Sequence, residues 1–136
     1  MVLKFIRYNR DAKLPRRRYS SDTGADIYML KAGRILPGET KVIPAGFGIE
    51  IPNGYTARLQ VRTSIAKRGI LVEGCAIDAG YTGEIHMIVH NISNRQVHWN
   101  VNDRICYLEV YPVQYPEFVE EDVEQRGKGA FGSTGR

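Results

Sequence analysis

Short segments of alternating apolar and polar residues, separated by glycine or proline, run through most of the sequence. In 47–51, for example, Phe47, Ile49 and Ile51 alternate with a glycine and a glutamate. A period of two is typical of half-buried strands, and helical periodicity is nearly absent. Strands are predicted over 2–8, 24–30, 40–43, 47–51, 56–62, 70–72, 84–91, 96–101 and 105–111. Many short strands of this kind predict an all-β fold, built as an antiparallel sandwich, jelly roll or barrel.

One short helix is expected after the strand at 56–62. Thr63 or Ser64 can cap its start, and Gly69 can end it. The strand itself is predicted to turn Ala57, Leu59 and Val61 inward and Thr56 outward, because successive side chains of a strand point to opposite faces. By the same rule Asp26 is predicted to face away from the apolar side chains of 24–30.

The length and composition predict one soluble domain. A chain of 136 residues with 43% hydrophobic and 25% charged residues is an ordinary globular chain. Apolar runs are only a few residues long, so neither a membrane span nor a signal peptide is expected. We predict a cytoplasmic protein that does not act at a membrane.

Charge is unevenly distributed along the chain. The net charge is +4, residues 1–20 are rich in lysine and arginine, and 117–124 is acidic. The basic end could attract a polyphosphate or nucleic acid. A solvated face is favoured and no nucleic-acid partner is expected, because aromatic residues are not interleaved with the basic ones.

The cysteines and histidines are given structural roles. Cys75 and Cys106 are too few for a disulfide framework and are predicted to be buried as small apolar side chains. His86 and His90 have the spacing of a helical metal site but lie in a predicted strand, and His98 lies in another. A strand places the first two on one face without focusing them on one point.

The stretch 75–85 carries the strongest candidate for chemistry in the body of the chain. Asp78 follows an apolar strand end, Tyr81 comes shortly after, and Gly83 lets the chain re-enter a strand at Glu84. This pattern predicts a hairpin that carries one carboxylate and one aromatic ring. Asp78 taken alone is more simply a turn residue, since aspartate commonly bonds to the backbone of its own turn.

The last stretch, 126–135, is too rich in glycine and too poor in apolar residues to form a core. It is predicted to be mobile when free. A disordered end is the simplest interpretation. Its glycines, hydroxyls and Arg126 would also suit phosphate oxygens, and Phe131 could stack on a base.

Five separated segments together resemble the trimeric dUTP pyrophosphatases, or dUTPases, along nearly the whole chain. They are Gly24–Ile27, Arg62–Ala66, Ala76–Asp78 with Tyr81 and Gly83, Asn102–Cys106, and Arg126–Gly135. The resemblance implies a homotrimer with a distorted jelly-roll (β-clip) fold. Its catalytic domain would span 1–116, and a flexible C-terminal arm, 117–136, would close over a neighbour's site.

The resemblance also implies a function: hydrolysis of dUTP to dUMP and pyrophosphate with Mg²⁺, which limits uracil in DNA and supplies dUMP for thymidylate synthesis. Asp78 would be the general base that activates water for attack on the α-phosphorus. Tyr81 would pack on the deoxyribose and exclude a ribose 2′-hydroxyl. The uracil edge would be read by backbone groups around the hairpin, at Cys75, Ala76, Ile77, Glu84 and Ile85.

The remaining implied site residues handle the phosphates and the metal. Arg62, Thr63 and Ser64 would hold the phosphate chain, Asp26 would fix the hydrated Mg²⁺ through water, and Tyr107 would stand where the family reaches a phosphate. In the tail, Arg126 would pair with the γ-phosphate and Phe131 would stack on uracil. Gly132, Ser133 and Thr134 would line the phosphates.

Four departures from the family pattern are present, and two alternatives stay open. Thr63 replaces a serine, Tyr107 replaces a glutamine, and Ala130 replaces a glycine. The short stretch between Gly69 and Asp78 lacks the asparagine that many members carry. One alternative is a nucleotide-sensing regulatory protein with an unidentified protein partner. The other is a relative of dCTP deaminase, which needs a proton-carrying glutamate where this chain has Ile88.

Overall fold

The computed structural model describes residues 1–123, and within that range the regular secondary structure consists of ten strands and one short helix. The strands are β1 (Lys4–Arg7), β2 (Ala25–Ile27), β3 (Gly33–Ile35), β4 (Thr40–Pro44), β5 (Phe47–Glu50), β6 (Tyr55–Val61), β7 (Ile70–Glu73), β8 (His86–Asn91), β9 (Val97–Trp99) and β10 (Cys106–Pro112). A single-turn helix, α1 (Thr63–Ala66), joins β6 to β7. The predicted all-β class is confirmed.

The strands form four small antiparallel sheets. Their orders are β1-β5, β2-β10-β6, β3-β9 and β4-β8-β7. Strand β10 is central to the site because it pairs with β2 on one side and β6 on the other, with Tyr107 opposite Asp26 and Gln60. Chain segments far apart in sequence therefore meet along β10.

The core lies between these sheets and is filled by inward side chains of nearly every strand. Phe47 and Phe5 stack with ring centroids 4.9 Å apart. Ile27, Met87 and Val89 are fully or almost fully buried. The alternation that predicted the strands is thus the alternation between core and surface. Among the helices of residues 1–123, none is long and apolar enough to cross a membrane.

The alternating sequence pattern also predicted correctly whether most strand side chains are buried or exposed. Ala25 and Ile27 are buried while Asp26 between them is not, as predicted. Thr56 was predicted to face outward, and this is wrong: it is buried, and its Oγ1 donates to the Ile77 carbonyl at 3.1 Å. A hydroxyl can enter the core where a loop carbonyl receives it.

Several element boundaries differ from the predicted ones. Strand β8 begins at His86 instead of Glu84, and β3 was not predicted at all. The predicted helix exists, but the capping prediction is wrong. Arg62 occupies the N-cap position without a side-chain cap, and Thr63 is the first helical residue.

The two cysteines differ. Cys106 on β10 is fully buried, as predicted, and burial, with a smaller contribution from the charge of Asp26, raises the pKa of its thiol to about 12. Cys75 was predicted to be buried, and this is wrong. It lies just after β7 ends, with a backbone φ of 56°, and its side chain is exposed.

His86 and His90 share one face of β8. Nδ1 of His86 lies 3.1 Å from the Glu84 carbonyl, and Nδ1 of His90 lies 2.9 Å from Oγ1 of Thr40. Both rings are held by a neighbouring hydrogen-bonding group on or beside the sheet. Among the residues described, no group of three or more His, Cys, Asp or Glu side chains is placed to hold a metal ion.

Candidate functional site

The loop 74–85, between β7 and β8, presents Asp78 at the surface. Ile77 is buried and pairs with Ala57 of β6 through backbone hydrogen bonds of 2.8 and 3.2 Å, so the loop is anchored one residue before the carboxylate. Tyr81 N then donates to the Asp78 carbonyl at 3.1 Å across a turn in which Gly80 has a φ of 88°. The turn requires glycine at that position. Asp78 itself is exposed.

Tyr81 folds back over the same loop. Its hydroxyl donates to the Glu84 carbonyl at 2.9 Å. A Cβ on Gly83 would lie 2.6 Å from the Tyr81 hydroxyl oxygen, so the ring packs directly on this glycine. The ring remains 46% exposed, which leaves it available to a ligand.

Glu84 anchors the far end of the loop with its side chain. Its Oε2 accepts a hydrogen bond from Gly46 N at 2.9 Å, and the next residue, Ile85, donates its N–H to the Phe47 carbonyl at 2.8 Å. A ligand could therefore meet the backbone of Glu84 more readily than its carboxylate. No sequence pattern indicates this link to the turn before β5.

Asp78 and Tyr81 border a cleft of about 240 Å³, which we call the loop cleft. Four of the five residues predicted to read a base line this cleft. The fifth, Cys75, does not. The lining residues are Gly74, Ala76, Ile77, Asp78, Tyr81, Glu84, Ile85, His86 and Ile88.

Asp26 lies in a second cleft of about 310 Å³, which we call the Asp26 cleft. Its Oδ2 accepts from Arg104 Nη1 at 3.1 Å and is 3.9 Å from Arg62 Nε. Arg62 Nη1 in turn donates to the Arg104 carbonyl at 2.9 Å. The lining residues are Arg18, Asp22, Thr23, Gly24, Asp26, Arg62, Arg104 and Tyr107.

Arg104 was not among the predicted site residues. It belongs to the Asn102–Cys106 segment that carried the resemblance, and that membership was the available signal. Its role depends on an ion pair with a residue 78 positions away. Only the pairing of β10 with β2 brings the two together.

Tyr107 packs tightly on the start of β2. A Cβ added to Gly24 would lie 1.9 Å from Cδ2 of the Tyr107 ring. Gly24 therefore has to be glycine for the tyrosine to adopt this position. The ring forms one wall of the Asp26 cleft.

Thr63 and Ser64 directly follow Arg62 at the start of α1 and are exposed. Neither lines the Asp26 cleft or the loop cleft. Arg126, Phe131, Gly132, Ser133 and Thr134 lie outside the described residues, as does Ala130. The assignments of all these residues stay predictions.

Those predicted residues that line a cleft thus fall into two clefts of one chain, and the two clefts have no lining residue in common. One offers an exposed carboxylate beside an aromatic ring and loop backbone. The other offers three guanidinium groups and two carboxylates. Guanidinium groups suit phosphates, and an aromatic face suits a ring. The all-β fold with these two clefts therefore indicates the class of proteins that bind a phosphorylated ligand containing a ring.

Comparison with known proteins identifies the family. A sequence model described as dUTPase matches residues 10–135. A deoxyuridine 5'-triphosphate nucleotidohydrolase of Streptomyces griseus is 37% identical over 132 residues, covering 92% of this chain and 75% of that protein. Another, from Nautilia profundicola, is 34% identical over 142 residues and 100% of both chains are covered. The chain belongs to the dUTPase family.

Solved structures share the fold. A dUTPase of the Staphylococcus aureus phage phi11, studied for its structural Mg(II) ion, has a TM-score of 0.83 at 21% identity, covering 90% of this chain and 97% of its own. The dUTPase of Staphylococcus phage 80alpha, solved with dUPNHPP, has a TM-score of 0.82 at 24% identity over 99% of both chains. The expected dUTPase-like jelly-roll fold is confirmed.

Proposed function

We propose that this chain hydrolyses dUTP to dUMP and pyrophosphate, with Asp78 as the general base. The observation that carries the proposal is the exposed Asp78, whose backbone is bonded to that of Tyr81 and which lines the loop cleft together with it. Family membership supports the same activity. Such an enzyme would keep uracil out of DNA and supply dUMP for thymidylate synthesis.

The chemical step asks for one proton acceptor close to the α-phosphorus. A carboxylate presents acceptor oxygens and is ionised near neutral pH, so Asp78 would orient an attacking water and take its proton. The remaining oxygen can accept from a sugar 3′-hydroxyl. Because Ile77 anchors the loop immediately before it, the backbone of Asp78 is held in position while its side chain stays exposed.

Recognition of the nucleoside would use the rest of the loop cleft. Tyr81 would pack on the deoxyribose, and its hydroxyl is already bonded to the Glu84 carbonyl. The N–H groups of Ile77 and Ile85 already donate to Ala57 and Phe47, so the uracil edge would be read by the backbone of Ala76. Cytosine exchanges a donor and an acceptor there and would leave buried polar groups unpaired. Ile88 in the same cleft cannot carry a proton, which disfavours deamination.

The Asp26 cleft would hold the phosphates and the Mg²⁺ bound to them. Arg62 can pair with phosphate oxygens while the Arg104 carbonyl fixes its orientation. Asp26 engages arginines through Oδ2 and offers its other oxygen to a hydrated ion. One protein carboxylate with several waters and phosphate oxygens is a donor set that suits magnesium. When bound, Mg²⁺ would neutralise charge developing on the leaving pyrophosphate.

A homotrimer would unite the two clefts, because the loop cleft of one copy could face the Asp26 cleft of another. What supports this assembly is the separation of Asp78 from Arg62 and Asp26 within one chain. Exposed apolar side chains on strands, such as Val42 on β4 and Leu71 on β7, are also available for burial between copies. The trimer should have about three times the 15.4 kDa mass of the chain.

The direct test is an assay of pyrophosphate release from dUTP, dCTP, dTTP and UTP with Mg²⁺. We expect turnover of dUTP alone. Ammonia release from dCTP would place the chain among the deaminases. Binding of dUTP without hydrolysis would favour a nucleotide-sensing role instead.

Exclusion of ribonucleotides should depend on the Tyr81 ring. Replacing Tyr81 with alanine removes the surface that a 2′-hydroxyl would clash with, and the kcat/KM ratio of dUTP over UTP should fall about tenfold or more. Tyr81→Phe keeps the ring and should retain most of the discrimination. An unchanged ratio in Tyr81→Ala would remove Tyr81 from the sugar site.

If each active site combines the loop cleft of one subunit with the Asp26 cleft of another, two inactive variants should complement each other. Asp78→Asn and Arg62→Gln each damage a different cleft, so either homotrimer should be nearly inactive. Unfolding and refolding the two together should form mixed trimers in which some sites combine an intact Asp78 with an intact Arg62. Recovered dUTP hydrolysis would support the shared site, and a mixture as inactive as its parts would contradict it.

A further inference from the structure

Arg18 lies outside all the segments that resemble the family, yet it lines the Asp26 cleft. The loop between β1 and β2 places it there. Arg16 and Asp26 form an isolated antiparallel bridge, with Arg16 N 3.1 Å from the Asp26 carbonyl and Asp26 N 2.8 Å from the Arg16 carbonyl. Arg18 follows this bridge by two residues on one side, Gly24 precedes it by two on the other, and both residues line the Asp26 cleft.

The neighbouring arginine has a different environment. Arg17 lines a different, mainly apolar cleft together with Ala25, whose side chain is on the opposite face of β2 from Asp26. Successive arginines of the loop therefore line different clefts. The bridge at Arg16 holds the backbone in place two residues before Arg18.

Arg18 is also held locally on its other side. Asp22 closes a turn around it: Asp22 Oδ2 accepts from Tyr19 N at 3.0 Å, and Asp22 N donates to the Tyr19 carbonyl at 3.0 Å. The Arg18 guanidinium carbon lies 5.4 Å from the centre of the Tyr19 ring. A cation over a ring face is restrained without losing its charge.

The Asp26 cleft holds three arginines and two carboxylates, and Arg18 is the one of these arginines that forms no ion pair among the described residues. Arg62 and Arg104 both pair with Asp26, and none of the ion pairs formed within residues 1–123 involves Arg18. The Asp22 carboxylate accepts from the loop backbone. A guanidinium restrained beside two paired ones, in a cleft open to solvent, suits a polyanion with several oxygens.

We propose that Arg18 is an additional phosphate-binding residue that contacts the substrate beyond its α-phosphate, an inference that rests on the proposed function. Arg18 contributes to substrate binding more than to the hydrolysis step. Its side chain is restrained before the substrate arrives, and it pairs with phosphate charge that the substrate already carries in the ground state. Its loss should therefore raise KM and leave kcat nearly unchanged.

The test compares Arg18→Gln and Arg18→Lys with the unaltered protein in the presence of Mg²⁺. We expect Arg18→Gln to raise the KM for dUTP and the dissociation constant of inorganic tripolyphosphate about tenfold, the usual scale for a charge-assisted hydrogen bond. The affinity for dUMP, which has only the α-phosphate, should not change. Arg18→Lys keeps the charge without the planar fork and should fall in between.

Arg10→Gln is the matched control, since it removes one charge from the same N-terminal segment at an exposed residue that lines neither cleft. It should leave tripolyphosphate binding unchanged. Equal weakening of dUMP and tripolyphosphate binding by Arg18→Gln, or no weakening of either, would overturn the inference, as would failure of the unaltered protein to bind tripolyphosphate. Tripolyphosphate binding that depends on Arg18, in a chain that does not hydrolyse dUTP, would refute the proposed function alone.

Discussion

Replacement of Asp78 with asparagine is expected to lower kcat for dUTP by about 10²–10⁴-fold, the usual contribution of a positioned general base. Asparagine matches aspartate in size but cannot take a proton from water. The KM for dUTP should change little, because the side chain still offers a carbonyl oxygen to the sugar. Steady-state pyrophosphate release measures both constants.

Two comparisons make this result specific. Asp11→Asn removes a charge from another exposed carboxylate and should leave kcat unchanged. Thermal unfolding of Asp78→Asn should match that of the unaltered chain, because the Asp78 backbone, and not its carboxylate, accepts the turn hydrogen bond from Tyr81. A variant with full kcat would require another base in the loop cleft.

Replacement of Gly24 with alanine is expected to destabilise the fold by about 1–3 kcal/mol, the usual cost of overpacking. The added Cβ would lie 1.9 Å from Cδ2 and 2.5 Å from Cγ of Tyr107. These atoms are near the root of the side chain, so the ring cannot escape by moving its tip alone. Denaturant unfolding at a fixed protein concentration would measure the change.

A second substitution separates this clash from other effects of alanine. Combining Gly24→Ala with Tyr107→Ala removes the ring that the Cβ meets, so the pair should be less destabilising than the sum of the two single changes. Tyr107→Gln, which restores the family's usual residue, should also relieve part of the clash. Simple additivity would mean that the ring moves aside at little cost.

The sequence predicted the strands well where alternation is local. Ala25, Asp26 and Ile27 show their burial in their order, because a strand with one face on the core imposes a period of two. Strand β3 was missed because its three residues, Gly33–Ile35, include a single apolar side chain, Ile35, so that no alternation is visible. Thr56 was misplaced because its partner, the Ile77 carbonyl, comes from a distant loop.

The candidate site could be predicted from the sequence only in part, because some of its residues meet through contacts between distant segments. Asp78 and Tyr81 stand in one local turn pattern, and the sequence identified both. Arg104 and Arg18 join Asp26 only through the pairing of β10 with β2 and through the bridge at Arg16. Contacts of this kind depend on register between separate strands, and composition does not encode register.

The contrast between the two cysteines makes the loop cleft open to direct spectroscopic observation. Cys106 is buried and its thiol has a raised pKa, so it should not react with maleimide dyes while the chain is folded. The chain has only 2 cysteines, and Cys75 is exposed on the loop that carries Asp78. The natural sequence is therefore, in practice, a single-thiol protein, and one fluorophore attached without mutagenesis would report on nucleotide arrival from the edge of the cleft.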